Sequence, residues 1–138
     1  MAGPLVLDAS AAVDMLVNGP GAAWLMERTR DHDLIAPGHA PAEMLNGVAR
    51  VWRRGAISSS GAERVLREME RLPLEIASTF PLFLGAWARR DQHSLPDALY
   101  IELAAQLDTV VVTTDRRLAR ATPLAVAPPE EWARRYLR

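Results

Sequence analysis

Short apolar runs alternate along the chain with longer segments in which apolar residues recur at helical spacing. Because a short apolar run bounded by turn residues is typical of a fully buried strand, the runs predict four or five strands. The candidate strands cover residues 4–7, 34–36, 74–77, 110–112 and 124–127. The segments between them predict helices at residues 9–16, 22–30, 41–54, 61–71, 79–90 and 94–107, a short turn around 118, and a terminal helix at 130–138. In the helix at 41–54, the face predicted to be buried consists of Leu45, Val48, Ala49 and Trp52.

The order of these elements indicates the fold class. Strands alternate with helices, and no two strands lie close enough in sequence for a tight hairpin. This pattern predicts an α/β fold of three layers, α/β/α, around a short central parallel sheet of 4–5 strands. The chain has 138 residues, which is close to the usual size of one domain, and no linker or repeat divides it. Residues 1–138 are therefore expected to form a single domain.

The composition excludes several classes of protein. Apolar residues make up 49% of the chain and charged residues 24%, which is ordinary for a globular protein and argues against disordered or fibrous classes. With no cysteine there can be no disulfide, thiolate zinc site or cysteine nucleophile. All 16 basic residues are arginine, so P-loop and Schiff-base lysines are excluded as well. The net charge of −1 gives no bulk electrostatic argument for binding nucleic acid.

The start of the chain gives no targeting signal. No positive residue precedes the first apolar run, and Asp8 interrupts that run early, so a secretory signal is not expected. A membrane span needs about 18 apolar residues almost without interruption, and no segment approaches that. The prediction is a cytoplasmic protein that does not associate with a membrane.

Acidic residues stand where the predicted strands end. Asp8 closes the first strand, and Asp115 follows the strand at 110–112. Glu43 and Asp97 lie in the first turns of the helices at 41–54 and 94–107. Because ligands of open α/β sheets bind at the carboxyl ends of the strands, the four acids are expected to converge if the first strand and the 110–112 strand are neighbours.

Each of these acids also has a purely structural explanation. Acidic residues are favoured at helix starts, where they cap free amides and interact with the helix dipole. Asp97 completes the capping-box pattern with Ser94, and Asp115 and Asp8 could cap the helices that follow them. Four clustered carboxylates, however, repel one another, so a cluster implies a cation or a raised pKa. Oxygen donors without histidine or cysteine favour Mg²⁺ or Mn²⁺ over zinc.

Three segments carry a resemblance to a known family: VLDASAAVDML, APAEMLNGVARVW and LPDALYIELAAQLDTVVVTTDRRLAR. Together, in this order and at this spacing, they resemble PIN-domain ribonucleases, and most of all the VapC toxins of bacterial toxin–antitoxin pairs. The likeness extends from about residue 5 to residue 127. The resemblance implies a quartet of metal-binding catalytic acids, which fall here on Asp8, Glu43, Asp97 and Asp115.

The same resemblance implies supporting residues around the quartet. Ser10 and Thr113 match hydroxyl positions that support the site, and Asn46 matches an asparagine one turn after the glutamate, which could orient that carboxylate. Many relatives carry a further acid shortly after the last one, but Arg116 and Arg117 stand there in this chain. A fifth ligand and a complete second metal site are therefore in doubt.

The arginines near the motifs are candidates for binding RNA phosphates, which the planar guanidinium suits. Four are singled out: Arg50, Arg116, Arg117 and Arg120. For each of them, a solvated helix face paired with surface acids is an equally open interpretation.

The function that the resemblance implies is Mg²⁺- or Mn²⁺-dependent hydrolysis of RNA phosphodiester bonds. The implied partners are an RNA substrate, a cognate VapB-like antitoxin and a second copy of the chain in a homodimer. Alternatives remain open: a PIN nuclease that matures RNA or acts on DNA outside a toxin system, and a PIN fold that only binds. A phospho-acceptor receiver domain is also α/β with clustered acids, but its switch needs a lysine, which this chain lacks.

Overall fold

A computed structural model describes residues 2–132 of the protein. Its centre is a sheet of five parallel strands in the order β3-β2-β1-β4-β5. All five predicted strands are present, with slightly different bounds: β1 Ala2–Leu7, β2 His32–Pro37, β3 Leu74–Ala77, β4 Val111–Val112 and β5 Ala125–Val126.

The helices also follow the prediction closely. They are α1 Ala9–Leu16, α2 Ala22–Thr29, α3 Ala40–Arg53, α4 Ser59–Glu70, α5 Phe83–Ala88, α6 Leu95–Gln106 and α7 Arg116–Ala121. The helix predicted at 79–90 is shorter, because a 3-10 turn, Phe80–Leu82, precedes α5. The helix predicted at 130–138 lies mostly outside the described residues. None of the described helices combines the length and apolar content needed to cross a bilayer.

Strand β1 lies in the middle of the sheet. It pairs with β2 on one side and with β4 on the other, where Val6 is opposite Val111 and Leu7 is opposite Val112. The expected neighbourhood of the first strand and the 110–112 strand is therefore confirmed. The chain adds β2 and β3 on one side of β1 and later adds β4 and β5 on its other side. In sheets of this kind, ligands bind where the strand order reverses, and here that place is the crevice at the carboxyl ends of β1 and β4.

Helices cover both faces of the sheet, which confirms the three-layer α/β/α architecture. Along β1, Val6 packs into a cluster on one face with Ile101 of α6, while Leu5 and Leu7 pack into a second cluster with Leu25 of α2. Alternate residues of a strand point to opposite faces, so a continuous apolar run serves both layers.

Helix α3 buries a different face from the predicted one. Leu45 and Trp52 are 56% and 47% exposed, and of the predicted set only Val48 is fully buried. The reason is the approach of α1, since a Cβ atom at Gly47 would lie 2.7 Å from Cγ2 of Val13. Apolar residues form two stripes on this helix, and the packing against α1 selects the stripe that consists of Ala40, Met44, Gly47, Val48 and Val51.

Candidate active site at the carboxyl ends of β1 and β4

Asp8 occupies the junction between β1 and α1. Its side chain makes no capping hydrogen bond to α1. Instead, Oδ2 of Asp8 accepts a hydrogen bond of 2.6 Å from the Thr113 hydroxyl and one of 2.9 Å from the Ser10 hydroxyl. The capping explanation for Asp8 is therefore wrong, and its carboxylate is oriented by two hydroxyl donors from different elements.

The two hydroxyl groups also bind the backbone after β4. The backbone N–H of Thr114 donates to Ser10 Oγ at 3.2 Å, and that of Asp115 donates to Thr113 Oγ1 at 3.0 Å. Thr113 is completely buried. A buried hydroxyl is costly unless it is paired. The Ser10 contact joins α1 to the segment that presents Asp115, and the Thr113 contact lies within that segment.

The electrostatic environment of Asp8 shows which acids lie near it. Burial is the largest cause of a raised pKa at Asp8, while the hydrogen bonds from Thr113 and Ser10 act to lower it. The negative charges of Glu43 and Asp97 raise the pKa further. Glu43 and Asp97 therefore stand close enough to Asp8 for their charges to oppose its ionisation.

Glu43 is held by a residue that the sequence analysis did not identify. The Tyr100 hydroxyl donates a hydrogen bond of 2.8 Å to Oε1 of Glu43, and Nε2 of His39 lies 3.7 Å from the same oxygen. Burial and the nearby Asp8 and Glu43 charges raise the pKa of Tyr100, so the phenol stays protonated. The sequence did contain one indication of this role. Tyr100 lies among apolar residues of α6, and the hydroxyl of a buried phenol needs a polar partner.

Asp97 and Asp115 both lie at helix starts, and the structure distinguishes them. The Asp97 N–H donates to Ser94 Oγ at 3.4 Å, but within residues 2–132 its carboxylate makes no hydrogen bond or ion pair. Asp115 does cap α7, because its Oδ1 accepts from the N–H groups of Arg117 and Leu118 at 2.9 and 3.3 Å. The capping interpretation is thus correct for Asp115. Of the capping box around Asp97, only the hydrogen bond from the Asp97 N–H to Ser94 is present.

A crevice of about 250 Å³ brings several predicted residues together. Asp97 is not among its lining residues, and neither is Thr113, whose hydroxyl lies behind Asp8. Asn46 is exposed in the crevice wall and, within the described part of the chain, does not hydrogen-bond to Glu43. The polar side chains that line the crevice are Asp8, Ser10, Glu43, Asn46, Arg50 and Asp115.

A larger groove of about 690 Å³ shares the Glu43 and Arg50 side chains with this acidic crevice. It runs between α1 and α3 toward the start of α4. Its apolar lining includes Val13, Val51 and Ile57, and the arginines beside that lining are Arg50, Arg53 and Arg54.

The four predicted RNA-contacting arginines occupy different surroundings. Arg50 lines both the crevice and the groove. Arg117 is highly exposed and lies 3.7 Å from Asp115, whereas Arg116 lies 4.0 Å from Glu130. Arg120 is exposed and does not line the crevice. Of the four, Arg50 is the one that the structure brings to the acids on a crevice wall.

The donors at this site fit a hard divalent cation in type. They are carboxylates supported by hydroxyl groups, which are the donors that Mg²⁺ and Mn²⁺ prefer. Within residues 2–132, however, no three acidic or histidine side chains are placed so that they could hold a metal ion together. Binding such an ion through three carboxylates would therefore require at least one of them to move from its present position.

Comparison with known proteins identifies the family. The profile of the PIN domain matches residues 5–123. Ribonuclease VapC3 of Mycobacterium tuberculosis is 40% identical over 124 residues, which cover 89% of this chain and 90% of the relative. The chain belongs to the PIN-domain family, as a VapC-type member. Ribonuclease VapC12 of the same organism is 31% identical to this PIN-domain protein over 117 residues, or 85% and 91% of the two chains.

Solved structures show the same fold at lower sequence identity. The crystal structure of PAE2754 from Pyrobaculum aerophilum matches the PIN-domain protein with a TM-score of 0.68 and 23% identity, over 99% of this chain and 91% of the other. A toxin–antitoxin complex from Klebsiella pneumoniae gives a TM-score of 0.68 at 16% identity, over 91% and 98% of the two chains.

Proposed function

We propose that this PIN-domain protein is an endoribonuclease that hydrolyses RNA phosphodiester bonds and acts as the toxin of a VapBC pair. The observation that carries the proposal is the acidic crevice, where Asp8, Glu43 and Asp115 share one cavity at the junction of β1 and β4. The VapC relatives are named ribonucleases, which supports the choice of RNA. An RNA-cleaving toxin meets its substrate in the cytoplasm, where we expect this protein to act.

The cofactor that we propose is Mg²⁺ or Mn²⁺. Asp8, Asp97 and Asp115 would hold it. Burial, and to a smaller extent the charges of Glu43 and Asp97, raises the pKa of Asp8, and a bound cation would offset the cost of ionising this carboxylate. When bound, the ion supplies positive charge that acidifies the attacking water and offsets the negative charge that builds on the phosphate.

The protein's own residues perform the remaining tasks. Glu43, fixed through Oε1 by Tyr100, orients the attacking water or helps to hold a second ion. Ser10 and Thr113 keep the Asp8 carboxylate in place by hydrogen bonds to Oδ2. Oriented groups of this kind lower the barrier because little reorganisation is needed when the reaction begins.

RNA would reach the crevice on the side where Arg50 lies. Arg50 is the first candidate for a phosphate contact, because it lines the crevice together with the acids. Arg116, Arg117 and Arg120 follow Asp115 along α7 and are candidates for contacts farther along the strand of RNA. A guanidinium suits phosphate because it presents several N–H donors in one plane.

The antitoxin that we propose is a VapB-like protein that binds beside the acids. The groove between α1 and α3 is apolar at Val13, Val51 and Ile57 and carries arginines near them. An amphipathic segment with acidic residues would complement this surface, and it would cover Glu43 and Arg50 at the same time.

A homodimer is the other assembly that we propose. Phe80, Phe83, Leu84 and Trp87 form an exposed apolar patch on and before α5, away from the acidic crevice. Monomeric proteins rarely expose a large contiguous apolar patch, so a patch of this kind marks a site that binds another protein surface.

The test of the chemistry is RNA cleavage by purified protein with Mg²⁺, with Mn²⁺ and with EDTA. Cleavage should occur with either ion, stop with EDTA, and fall by at least about 100-fold in Asp8→Asn. The matched control is Asp33→Asn, an exposed acid of β2, which should cleave like the wild type. Equal cleavage under all conditions would contradict the metal–carboxylate mechanism, and a single-stranded DNA of the same sequence tests the DNA alternative.

The test of the toxin role is induction in a bacterial host. Growth should stop when the wild type is induced and should continue with Asp8→Asn. It should resume when the proposed antitoxin, a small protein encoded by the neighbouring gene, is produced together with the wild type. Cleavage of RNA in vitro without growth arrest would instead favour a nuclease of RNA maturation.

A further inference from the structure

Tyr100 lies between the elements that carry the acids. It is on α6, one helical turn after Asp97, and only 2% of the residue is exposed. Its ring packs in the core cluster that includes Val6 and Ile101, while its hydroxyl reaches Glu43 at the acidic edge of the sheet. A phenol in this position combines an apolar body with a polar end that needs partners.

The Tyr100 hydroxyl makes two hydrogen bonds whose directions are fixed by their chemistry. The N–H of Ala9 lies 3.3 Å from the hydroxyl oxygen and can only donate to it. The single hydroxyl hydrogen is therefore available for Oε1 of Glu43, 2.8 Å away. Ala9 begins α1 and directly follows Asp8, whose own side chain does not cap that helix.

The Tyr100 hydroxyl thus joins α6 to α1 and α3. Each of these helices has one acid of the quartet in its first turn or directly before it. Asp8 precedes α1, Glu43 lies in the first turn of α3, and Asp97 lies in the first turn of α6. The rings of His39 and Tyr100 pack edge to face, with centroids 4.8 Å apart. The Nε2 atom of His39 also lies 3.1 Å from the carbonyl oxygen of Pro96, next to Asp97.

We propose that Tyr100 is a positioning residue, which sets the Glu43 carboxylate and the start of α1 relative to Asp97 through its one hydroxyl group. It acts through Glu43 and does not touch the substrate. Asn46, which the family likeness suggests for orienting Glu43, does not hydrogen-bond to that carboxylate within residues 2–132. The role in catalysis rests on the proposed ribonuclease function, whereas the link between Tyr100 and Glu43 does not.

The test uses Tyr100→Phe, which keeps the buried ring and removes only the hydroxyl. With RNA, kcat should fall by about 10–100-fold while KM changes less than about 3-fold, as is typical when a group that orients a ligand is removed. The affinity for Mn²⁺, measured by calorimetry without RNA, should fall over the same range. Ile101→Val is the control, because it also perturbs α6 in the core but leaves the hydroxyl in place; it should lower Tm without changing kcat or Mn²⁺ affinity.

A double-mutant cycle separates positioning from general destabilisation. In a Glu43→Gln background, Tyr100→Phe should reduce kcat by less than about 3-fold, because the carboxylate that it positions is already gone. Additive effects of the two substitutions, or an unchanged kcat in Tyr100→Phe, would overturn the proposal. If the wild type did not cleave RNA, the proposed function would fail, and the Mn²⁺ affinities of the same variants would decide the positioning role alone.

Discussion

The Asp8 carboxylate lies at the end of β1, with hydroxyl donors on one side and other acids nearby. Burial raises its pKa more than the hydrogen bonds from Thr113 and Ser10 lower it. Because the pKa in the folded state is above that of the unfolded chain, folding is favoured by Asp8 below the unfolded pKa, near about 4. That contribution is lost as the pH rises through the folded pKa, so at neutral pH the ionised carboxylate opposes folding.

Asp8→Asn should therefore make the protein more stable and inactive at once. The asparagine is neutral at every pH, and its amide oxygen can still accept from Thr113 and Ser10. In metal-free buffer, Tm at pH 7 should rise above that of the wild type, and the difference should shrink as the pH is lowered toward 4. Thermal unfolding of both proteins between pH 4 and 8 measures this. A lower Tm for Asp8→Asn throughout that range would show that its hydrogen bonds outweigh the burial of charge.

Helix α3 shows how packing between elements chooses among similar patterns. Two apolar stripes compete for burial on this helix, and the one that contains Gly47 meets α1. The absence of a side chain at Gly47 lets Val13 lie close to the backbone of α3. As a result, Glu43 at the start of α3 and Asp8 before α1 are brought to the same crevice.

Gly47→Ala should destabilise the protein although alanine favours helix. The gain in helix propensity is about 1 kcal/mol, whereas forcing apart a packed contact costs about 1–3 kcal/mol. The new Cβ atom would lie 2.7 Å from Cγ2 of Val13, so either the Val13 side chain or the two helices must shift. Denaturant unfolding should show a net loss of up to about 2 kcal/mol.

The control for this prediction is Val13→Ala, which makes room for the added methyl group. In a Val13→Ala background, Gly47→Ala should be neutral or stabilising, because only the propensity term remains. An equal loss in both backgrounds would show that the contact between Gly47 and Val13 does not limit how closely α1 approaches α3.

At the scale of the whole molecule, charge is unevenly distributed although the net charge is only −1. Acids gather at the carboxyl ends of β1 and β4, and Arg50 lies in the same crevice. Phosphate contacts depend on salt because each one releases counterions. The position of a single arginine such as Arg50 therefore matters for RNA binding more than the total charge does.

Arg50→Ala should weaken RNA binding and reduce its dependence on salt. If Arg50 contacts one phosphate, the slope of log K against log salt should change by about 0.7 for single-stranded RNA. Fluorescence anisotropy with an uncleavable RNA between 50 and 300 mM salt would measure this. Arg71→Ala is the control, since Arg71 is exposed beside the opposite edge of the sheet, just before β3 begins; a similar loss in both variants would contradict a specific contact.

The apolar patch around α5 leads to a prediction about assembly. Leu84 is 86% exposed and Phe80 is 76% exposed. If this patch forms the homodimer, Leu84→Glu should give a monomer, because burying an unpaired carboxylate is costly. Light scattering after gel filtration measures the mass. Met26→Glu on α2, at the opposite layer, should stay dimeric; a dimeric Leu84→Glu protein would place the interface elsewhere.

The sequence alone determined the helices and strands, and it determined that the candidate active site lies at the carboxyl ends of the strands. Buried parallel strands need continuous apolar runs and helices need a 3.6-residue period, and both are local properties of the chain. Asp8 directly follows β1 and Asp115 comes shortly after β4, so their place at the carboxyl ends of the strands follows from sequence as soon as β1 and β4 are neighbours. The three family motifs contain the same acids.

The tertiary structure decided what depends on contacts between distant residues. The buried stripe of α3 depends on α1, which meets Gly47 through Val13. The partner of Glu43 is Tyr100, which is 57 positions away, and sequence spacing carries no information about such a pair. Whether an acid caps a helix or faces a crevice depends on side-chain direction, and Asp115 does both. Local patterns specify elements, whereas the pairing of polar side chains is fixed only when the packed elements exclude water and leave each group one available partner.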